Sequence, residues 1–299
     1  MPLASFSDLM AAADAGRYAV GYFESWDLAS LMAVADAAED TRSPVFLGFS
    51  GLYLPHPDRI VREPLSVYAN VGLAVGNSLS VPAALVFNES PDMSSVLQAA
   101  ELGFNLVMYA DETLDPNTLK ARIRKVSRVA HRLGVAVEGE MVVLPGVSGT
   151  LAELPSGVQL TDPRAAATFV AETNVDALAV NLGQMHLHGR QILRLDLDRL
   201  QKIKEAVPLP LVLHGASSVN RDDLAAAIEL GIRKVNVSSL LKQAYFEALR
   251  AACAQVGDTY NPYTVVGSGL DGDILSTARL ALQKTTAELM HLLGSAGKA

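Results

Sequence analysis

The chain has 299 residues, 50% of them hydrophobic and 19% charged, which is enough apolar material for a sizeable core in one large domain or two ordinary ones. A formal charge of −8 argues against general binding to nucleic acid or to an acidic membrane, since both need basic surface to displace counterions; a local phosphate site stays open. The single cysteine, Cys253, excludes an internal disulfide and a cysteine-based zinc knot, and reads as a buried apolar thiol.

The opening MPLASFSDLMAAADAG has no basic stretch ahead of an apolar one, so it does not read as a secretory signal. No window reaches the roughly 18 uninterrupted apolar residues of a membrane span, and a soluble, cytoplasmic protein is expected. Strand-length apolar runs then recur at 18–23, 44–49, 82–87, 105–110, 136–141, 177–182, 210–215 and 234–239. Helical patterns with apolar residues at three-and-four spacing separate them, for example at 27–40, 114–134, 161–174 and 220–231. Thr161, Asp162 and Pro163 open one helix as a cap with an early proline, and Gly103, Gly134 and Gly231 close others. Eight strands alternating with eight helices predict a (β/α)8 TIM barrel, in the α/β class, as a single domain over 1–299 with a C-terminal helical extension. An open doubly wound sheet is the alternative, weakened by the lack of a GxGxxG turn after the first strand. Two stretches fall outside the repeat. The Gly-, Ser- and Pro-rich segment 141–160 reads as a mobile loop over the barrel mouth, and the tail from about 257 reads as an irregular piece followed by a helix over 273–293.

The most informative segment is LVLHGAS at 211–217, followed about twenty residues on by KVNVSS at 234–239. Both read as neighbouring strand ends of a parallel sheet, where ligands bind. His214 supplies an imidazole there, while Gly215, Ser217, Ser238 and Ser239 offer close backbone approach and hydroxyls suited to a phosphate.

These two motifs, together with SPVFLGFS at 43–50, LGVAVEGE at 133–140, DALAVNLG at 176–183, the opening YAVGYF and the ending LGSAGKA, resemble the class II, zinc-dependent ketose-bisphosphate aldolases from end to end. The resemblance implies a homodimer or homotetramer and a divalent metal, Zn2+ with Mn2+ or Fe2+ as alternatives, that stabilises the enediolate of dihydroxyacetone phosphate. It places metal ligands at His214 and His186, with His188 a competitor for the second role. It places phosphate contacts at Gly215, Ser217, Asn236, Ser238 and Ser239, with Arg190 near a family lysine. Glu138 and Glu140 correspond to carboxylates near an alternative metal position.

Strand three departs from the family pattern. Where the family has a run like HLDHG, this chain has VFNES at 86–90, so the catalytic aspartate becomes Asn88 and the third zinc histidine becomes Glu89. An amide can orient a hydroxyl but has no proton to exchange near neutral pH. Glu89 is either the third ligand of a two-His, one-carboxylate set, or part of a helix start capped by Asn88 or Ser90 with Pro91 in the first turn. Glu138 and Glu140 stand two apart on a strand and alternate with Val135 and Val137, which directs both carboxylates to the barrel axis. Proton transfer then falls to Glu138, Glu140, Asp111 or a metal-bound water. Glu153 in the loop is a further mobile base, Glu24, Trp26 and 51–59 stand around the substrate, and His56, His131 and His291 read as surface residues.

The expected activity is a metal-dependent lyase acting on a phosphorylated ketose or keto-acid. The alternatives are an isomerase, epimerase or decarboxylase that uses the same enediolate without cleavage, and a non-catalytic sugar-phosphate-binding subunit.

Overall fold

The computed structural model describes residues 3–142, 144, 159–185 and 192–299. Eight strands, β1 (Val20–Phe23), β2 (Val45–Ser50), β3 (Ala83–Ser90), β4 (Leu106–Tyr109), β5 (Ala136–Glu140), β6 (Ala177–Ala179), β7 (Leu211–Leu213) and β8 (Ile232–Val237), pair in parallel in sequence order. The pairing of β8 with β1 closes the barrel. The open-sheet alternative is thereby excluded. Each strand overlaps an apolar run of the sequence because parallel strands are covered on both faces, although β2 and β3 run on past 49 and 87 and β8 begins before 234.

Helix α1 (Phe6–Gly16) precedes the barrel. Helices α2 (Leu28–Thr41), α3 (Leu65–Ser78), α4 (Met93–Glu101), α5 (Pro116–Arg132), α6 (Pro163–Thr173), α7 (Leu197–Ala206), α8 (Arg221–Glu229) and α9 (Ser239–Gln255) follow the strands in turn, and α10 (Pro262–Val265) and α11 (Ile274–Leu292) form the tail. Asp162 caps α6 by accepting from the Arg164 and Ala165 amides, with Pro163 in the first turn. Helix α11 of the tail packs on α2 and α9.

Period-two alternation divides the core into two layers. Ala84 and Val86 of β3 face the barrel axis with Val20, Tyr22, Phe46, Leu106 and Val212, while Leu85 and Phe87 pack outward against the helices. Phe6, Leu9, Met10 and Ala13 of α1 join the inner layer, and Ala4 N–H donates to the Ala83 carbonyl, so α1 covers the end where the strands begin. Gly48 lets β2 lie close to β3: a Cβ there would sit 2.1 Å from the Val86 carbonyl oxygen. With one end filled, the open mouth is at the strand C-termini.

Three expectations are corrected here. Asn88 and Ser90 do not start a helix; both lie in β3, and α4 is capped by Asp92, which accepts from the Ser94 and Ser95 amides. Cys253 is exposed, because it lies on α9, whose one fully buried residue is Leu241. His131 is half-buried: its Nε2 lies 2.8 Å from Asp176 Oδ2, which also accepts from Val137 N–H and so ties α5 to the barrel.

Candidate active site

A cavity of about 530 Å³ opens at the C-terminal mouth, lined among others by Tyr22, Glu24, Asn88, Glu89, His214 and Asn236. A smaller one of about 270 Å³ adjoins it through Glu89 and is lined by Tyr53, His56, Asp111, Glu112 and Glu140.

His214 follows β7 and is buried. Its Nδ1 lies 2.7 Å from Glu89 Oε1 and its Nε2 lies 2.7 Å from Glu138 Oε1. Alternation along β3 turns Asn88 inward with Ala84 and Val86 and would turn Glu89 outward. A bulge reverses this: between the pairs Phe87–Val107 and Ser90–Tyr109, both Asn88 and Glu89 stand opposite Met108 alone. Glu89 takes a φ of 50°, left-handed backbone that a non-glycine residue adopts at a cost, and its carboxylate is thereby re-aimed into the mouth.

Below His214 lies a buried polar network. Lys234 Nζ donates to Glu138 Oε2 at 2.8 Å and to Asn236 Oδ1 at 2.6 Å. Asn236 Nδ2 donates to Asn88 Oδ1 at 3.1 Å and also lies 2.9 Å from His214 Nε2, a nitrogen that accepts from it only when it carries no proton for Glu138. The ammonium of Lys234 lies 5.3 Å and 5.6 Å from the Tyr22 and Phe46 ring centres, which adds cation–π attraction.

These contacts set the charges. Burial alone would raise Glu138, but Lys234 and His214 outweigh it and hold the carboxyl down at about 2. Burial would lower His214, but the carboxylates of Glu89 and Glu138 push it up to about 10. Burial lowers Lys234, opposed by Glu138. Glu140 is pushed up to about 8, first by burial and then by the charges of Glu89 and Glu138. Glu140 makes no side-chain hydrogen bond to a described residue. Glu138 is therefore a fixed carboxylate, whereas Glu140 is free to exchange a proton near neutral pH.

The loops after β7 and β8 form the other wall. Gly215 has a φ of 65°, and a Cβ there would meet the Met185 carbonyl oxygen at 3.2 Å. Ser238 precedes α9 without capping it through its side chain, and Ser238 and Ser239 at the helix N-terminus line the cavity, where first-turn amides and hydroxyls suit an anion. Ser217 lines the same wall. Asn236, expected to meet phosphate, lines the same cavity and has its amide engaged in the network below.

Asp111 lines the smaller cavity, where its carboxylate accepts from Thr113 Oγ1 at 2.6 Å and Tyr109 OH at 3.2 Å. Trp26 packs edge-on against Tyr245, and His56 is exposed. His186, His188, Arg190 and Glu153 lie outside the described residues, as does most of 141–160.

Two residues at the site were not anticipated. Lys234 interrupts an apolar strand run, and a cation there signals a buried partner. Lys242 sits one turn into α9, pairs with the buried Glu24, and has its ammonium 5.1 Å from the Tyr53 ring centre. Its spacing from Ser238 and Ser239 places it on the same helix face.

Comparison with known proteins agrees with this architecture. The family model described as fructose-bisphosphate aldolase class II matches residues 4–298. A fructose-bisphosphate aldolase of Geobacillus stearothermophilus is 30% identical over 100% of this chain and 99% of its own length. A sulfofructosephosphate aldolase of Alkalicoccus urumqiensis is 27% identical over 94% of this chain and 93% of its own. The crystal structure of the YdjI aldolase from Escherichia coli K12 superposes with a TM-score of 0.80 at 26% identity, covering 99% of each chain. The chain belongs to the class II fructose-bisphosphate aldolase family, whose members are lyases.

Proposed function

We propose that this chain is a metal-dependent aldolase that cleaves or forms a carbon–carbon bond in a phosphorylated ketose through a dihydroxyacetone-phosphate-like enediolate. The observation that carries the proposal is the juxtaposition, across one cavity, of the His214–Glu89 pair and the phosphate-suited wall of Gly215, Ser217, Ser238 and Ser239.

Enzymes of this family generally depend on a divalent metal. Among the described residues no three His, Cys, Asp or Glu side chains are arranged to hold one. The donor chemistry nevertheless fits. Nδ1 of His214 and Oε1 of Glu89 both stand at the mouth, and Nε2 faces Glu138, the outer carboxylate that a metal-binding histidine ordinarily takes on its other nitrogen. His214, Glu89 and His186 would make a two-His, one-carboxylate set suited to Zn2+, Mn2+ or Fe2+, with Zn2+ proposed first. Such a metal, when bound, polarises the substrate carbonyl and stabilises the enediolate charge.

The chain's own residues do the rest. Glu138, fixed by Lys234, holds the His214 ring in one orientation. The α9 N-terminus and the three serines hold the phosphate, with Lys242 adding positive charge and Arg190 a further cation. Glu140 takes and returns the proton, because Asn88 cannot, Glu138 stays ionised and Asp111 is engaged elsewhere. A homodimer or homotetramer is part of the proposal. No described helix is long and apolar enough to cross a membrane.

Asn88 also motivates a second reading, an isomerase, epimerase or decarboxylase that stops at the enediolate. Incubating the protein and a divalent metal with a panel of phosphorylated ketoses, and counting product carbons by mass spectrometry, separates the two. A triose phosphate supports the aldolase; a product of unchanged carbon count supports the isomerase or epimerase, and loss of one carbon as carbon dioxide the decarboxylase. Binding without turnover of any of them leaves the non-catalytic subunit.

A further inference from the structure

Lys234 fixes the orientation of two amides as well as a charge. An ammonium donates and cannot accept, so the Asn236 atom 2.6 Å from Nζ is the amide oxygen. Asn236 Nδ2 therefore points the other way, toward Asn88, and the Asn88 atom 3.1 Å away must be an acceptor, the Oδ1. The Asn88 amide nitrogen is left with no described acceptor and turned to the cavity that Asn88 lines. Fully buried, Lys234 has little freedom to relax this order. A side chain that could present either end to a ligand is thus held as a donor.

We propose that Asn88, set by Lys234 through Asn236, is the donor that holds the substrate oxygen on which negative charge develops as the carbon–carbon bond breaks or forms. The inference rests on the aldolase reading above and assigns a specificity-determining catalytic role to Asn88 and a positioning role to Lys234. In cleavage, the hydroxyl proton passes to a base other than Asn88, and the oxygen's electron pair forms the new C=O. The carbon–carbon pair passes to the other fragment as the enediolate. Asn88 N–H hydrogen-bonds to the oxygen throughout and exchanges no proton. In condensation the same N–H polarises the incoming aldehyde oxygen. Stabilising charge and moving the proton, which one carboxylic acid could do together, fall here to separate residues. The substrate class that fits is one whose oxygen at this position accepts a hydrogen bond in both directions of the reaction.

The test compares two reactions of the metal-loaded protein: exchange of the carbon-bound hydrogen of dihydroxyacetone phosphate with deuterated water, and cleavage of the ketose phosphate that the wild type turns over. Asn88→Ala, and Asn88→Ser should the first variant fail to fold, are expected to lower the ratio of cleavage to exchange by about 10²-fold, the loss typical of one oxyanion donor. Asn88→Asp, ionised and without a hydrogen to donate, is expected to cleave more slowly than wild type at pH 7.5 and to recover as pH falls. For the positioning role, Lys234→Arg keeps a donor with no acceptor and is expected to keep the ratio, whereas Lys234→Gln is expected to lower it. An unchanged ratio in Asn88→Ala, or faster cleavage by Asn88→Asp at neutral pH, overturns the inference while leaving the aldolase reading intact. A wild type that exchanges and cleaves nothing overturns both.

Discussion

His214 Nδ1 and Glu89 Oε1 meet at 2.7 Å because β3 carries one residue more than β4 at its C-terminal end. In a regular strand Glu89 would follow Leu85 and Phe87 outward, to the helix layer. The bulge spends conformational energy, a left-handed φ at a glutamate, to bring a carboxylate to an imidazole. That a strained residue sits at the position proposed for the third metal ligand makes its contact with His214 the feature to test first.

Metal content tests it directly. The purified wild type is expected to carry about one divalent metal per chain by plasma mass spectrometry, with Glu89→Ala, His214→Ala and His186→Ala each losing most of it. Chelation is expected to abolish turnover, and added Zn2+, Mn2+ or Fe2+ to restore it. A wild type that takes up none of the three metals sinks the proposed ligand set; full occupancy in Glu89→Ala removes Glu89 from it.

The Lys234–Glu138 pair is expected to behave as one unit. Both side chains are fully buried, so Lys234→Met leaves the Glu138 carboxylate with His214 as its remaining charge partner, at a cost of up to about 3–5 kcal/mol in chemical denaturation. The double variant Lys234→Met, Glu138→Gln removes both charges and is expected to recover most of that loss while remaining inactive, because His214 is no longer held. A double variant no more stable than the single one refutes the coupling.

The sequence made the barrel legible because its strands are buried on both faces and therefore read as continuous apolar runs, each ending where small or polar residues reach the mouth. The inward direction of Glu138 and Glu140 was legible as well, since period two needs no knowledge of neighbours: Val137 packs outward as alternation requires. The direction of Glu89 was not, because a bulge is a mismatch between two strands and has no signature in one of them. Lys234 was passed over for a related reason: its partner Glu138 lies 96 residues away, on a strand across the barrel. Gly215 and the serines, picked out from local chemistry, line one cavity with Asn236, and only the contact with Lys234 reveals that the Asn236 amide is also engaged in the network below.

Glu140 makes stability depend on pH with a definite sign. In the fold it keeps its proton up to about pH 8, against an ordinary value of 4.5. Its contribution is fully present below about 4.5 and declines as pH rises to 8, by at most about 1.4 kcal/mol per unit. His214, raised to about 10, adds a decline of the same sign between about 6.5 and 10. Glu140→Gln cannot ionise and removes only the first slope. Urea denaturation of the metal-free proteins between pH 5 and 9 is expected to show the variant's advantage growing with pH and levelling above 8. A constant difference means that Glu140 is already ionised in the fold.

The phosphate wall predicts a split in kinetic constants. Ser217→Ala and Ser238→Ala each remove one hydroxyl that would meet a phosphate oxygen, a charge-assisted bond of about 1.5–3 kcal/mol. Each is expected to raise KM roughly tenfold or more with a smaller change in kcat, and to weaken competitive inhibition by inorganic phosphate in parallel. An unchanged KM in both variants means that the phosphate lies elsewhere.

The outer surface predicts association. Helix α9 fully buries Leu241 alone among its 17 residues and exposes Phe246, and the tail beyond it exposes Tyr260, Tyr263, Val266 and Leu270, with Tyr263 86% exposed. Apolar groups grouped in this way on one stretch of chain are costly in water and mark a surface that another protein surface covers. A second copy of the chain is the simplest partner, since closed symmetry lets one patch serve both subunits. Sedimentation equilibrium is expected to give two or four times the 31.7 kDa chain mass, and Tyr263→Glu with Leu270→Glu to shift the population toward monomer. A wild type that stays monomeric at tens of micromolar, roughly the range where weak dimers form, rules the interface out.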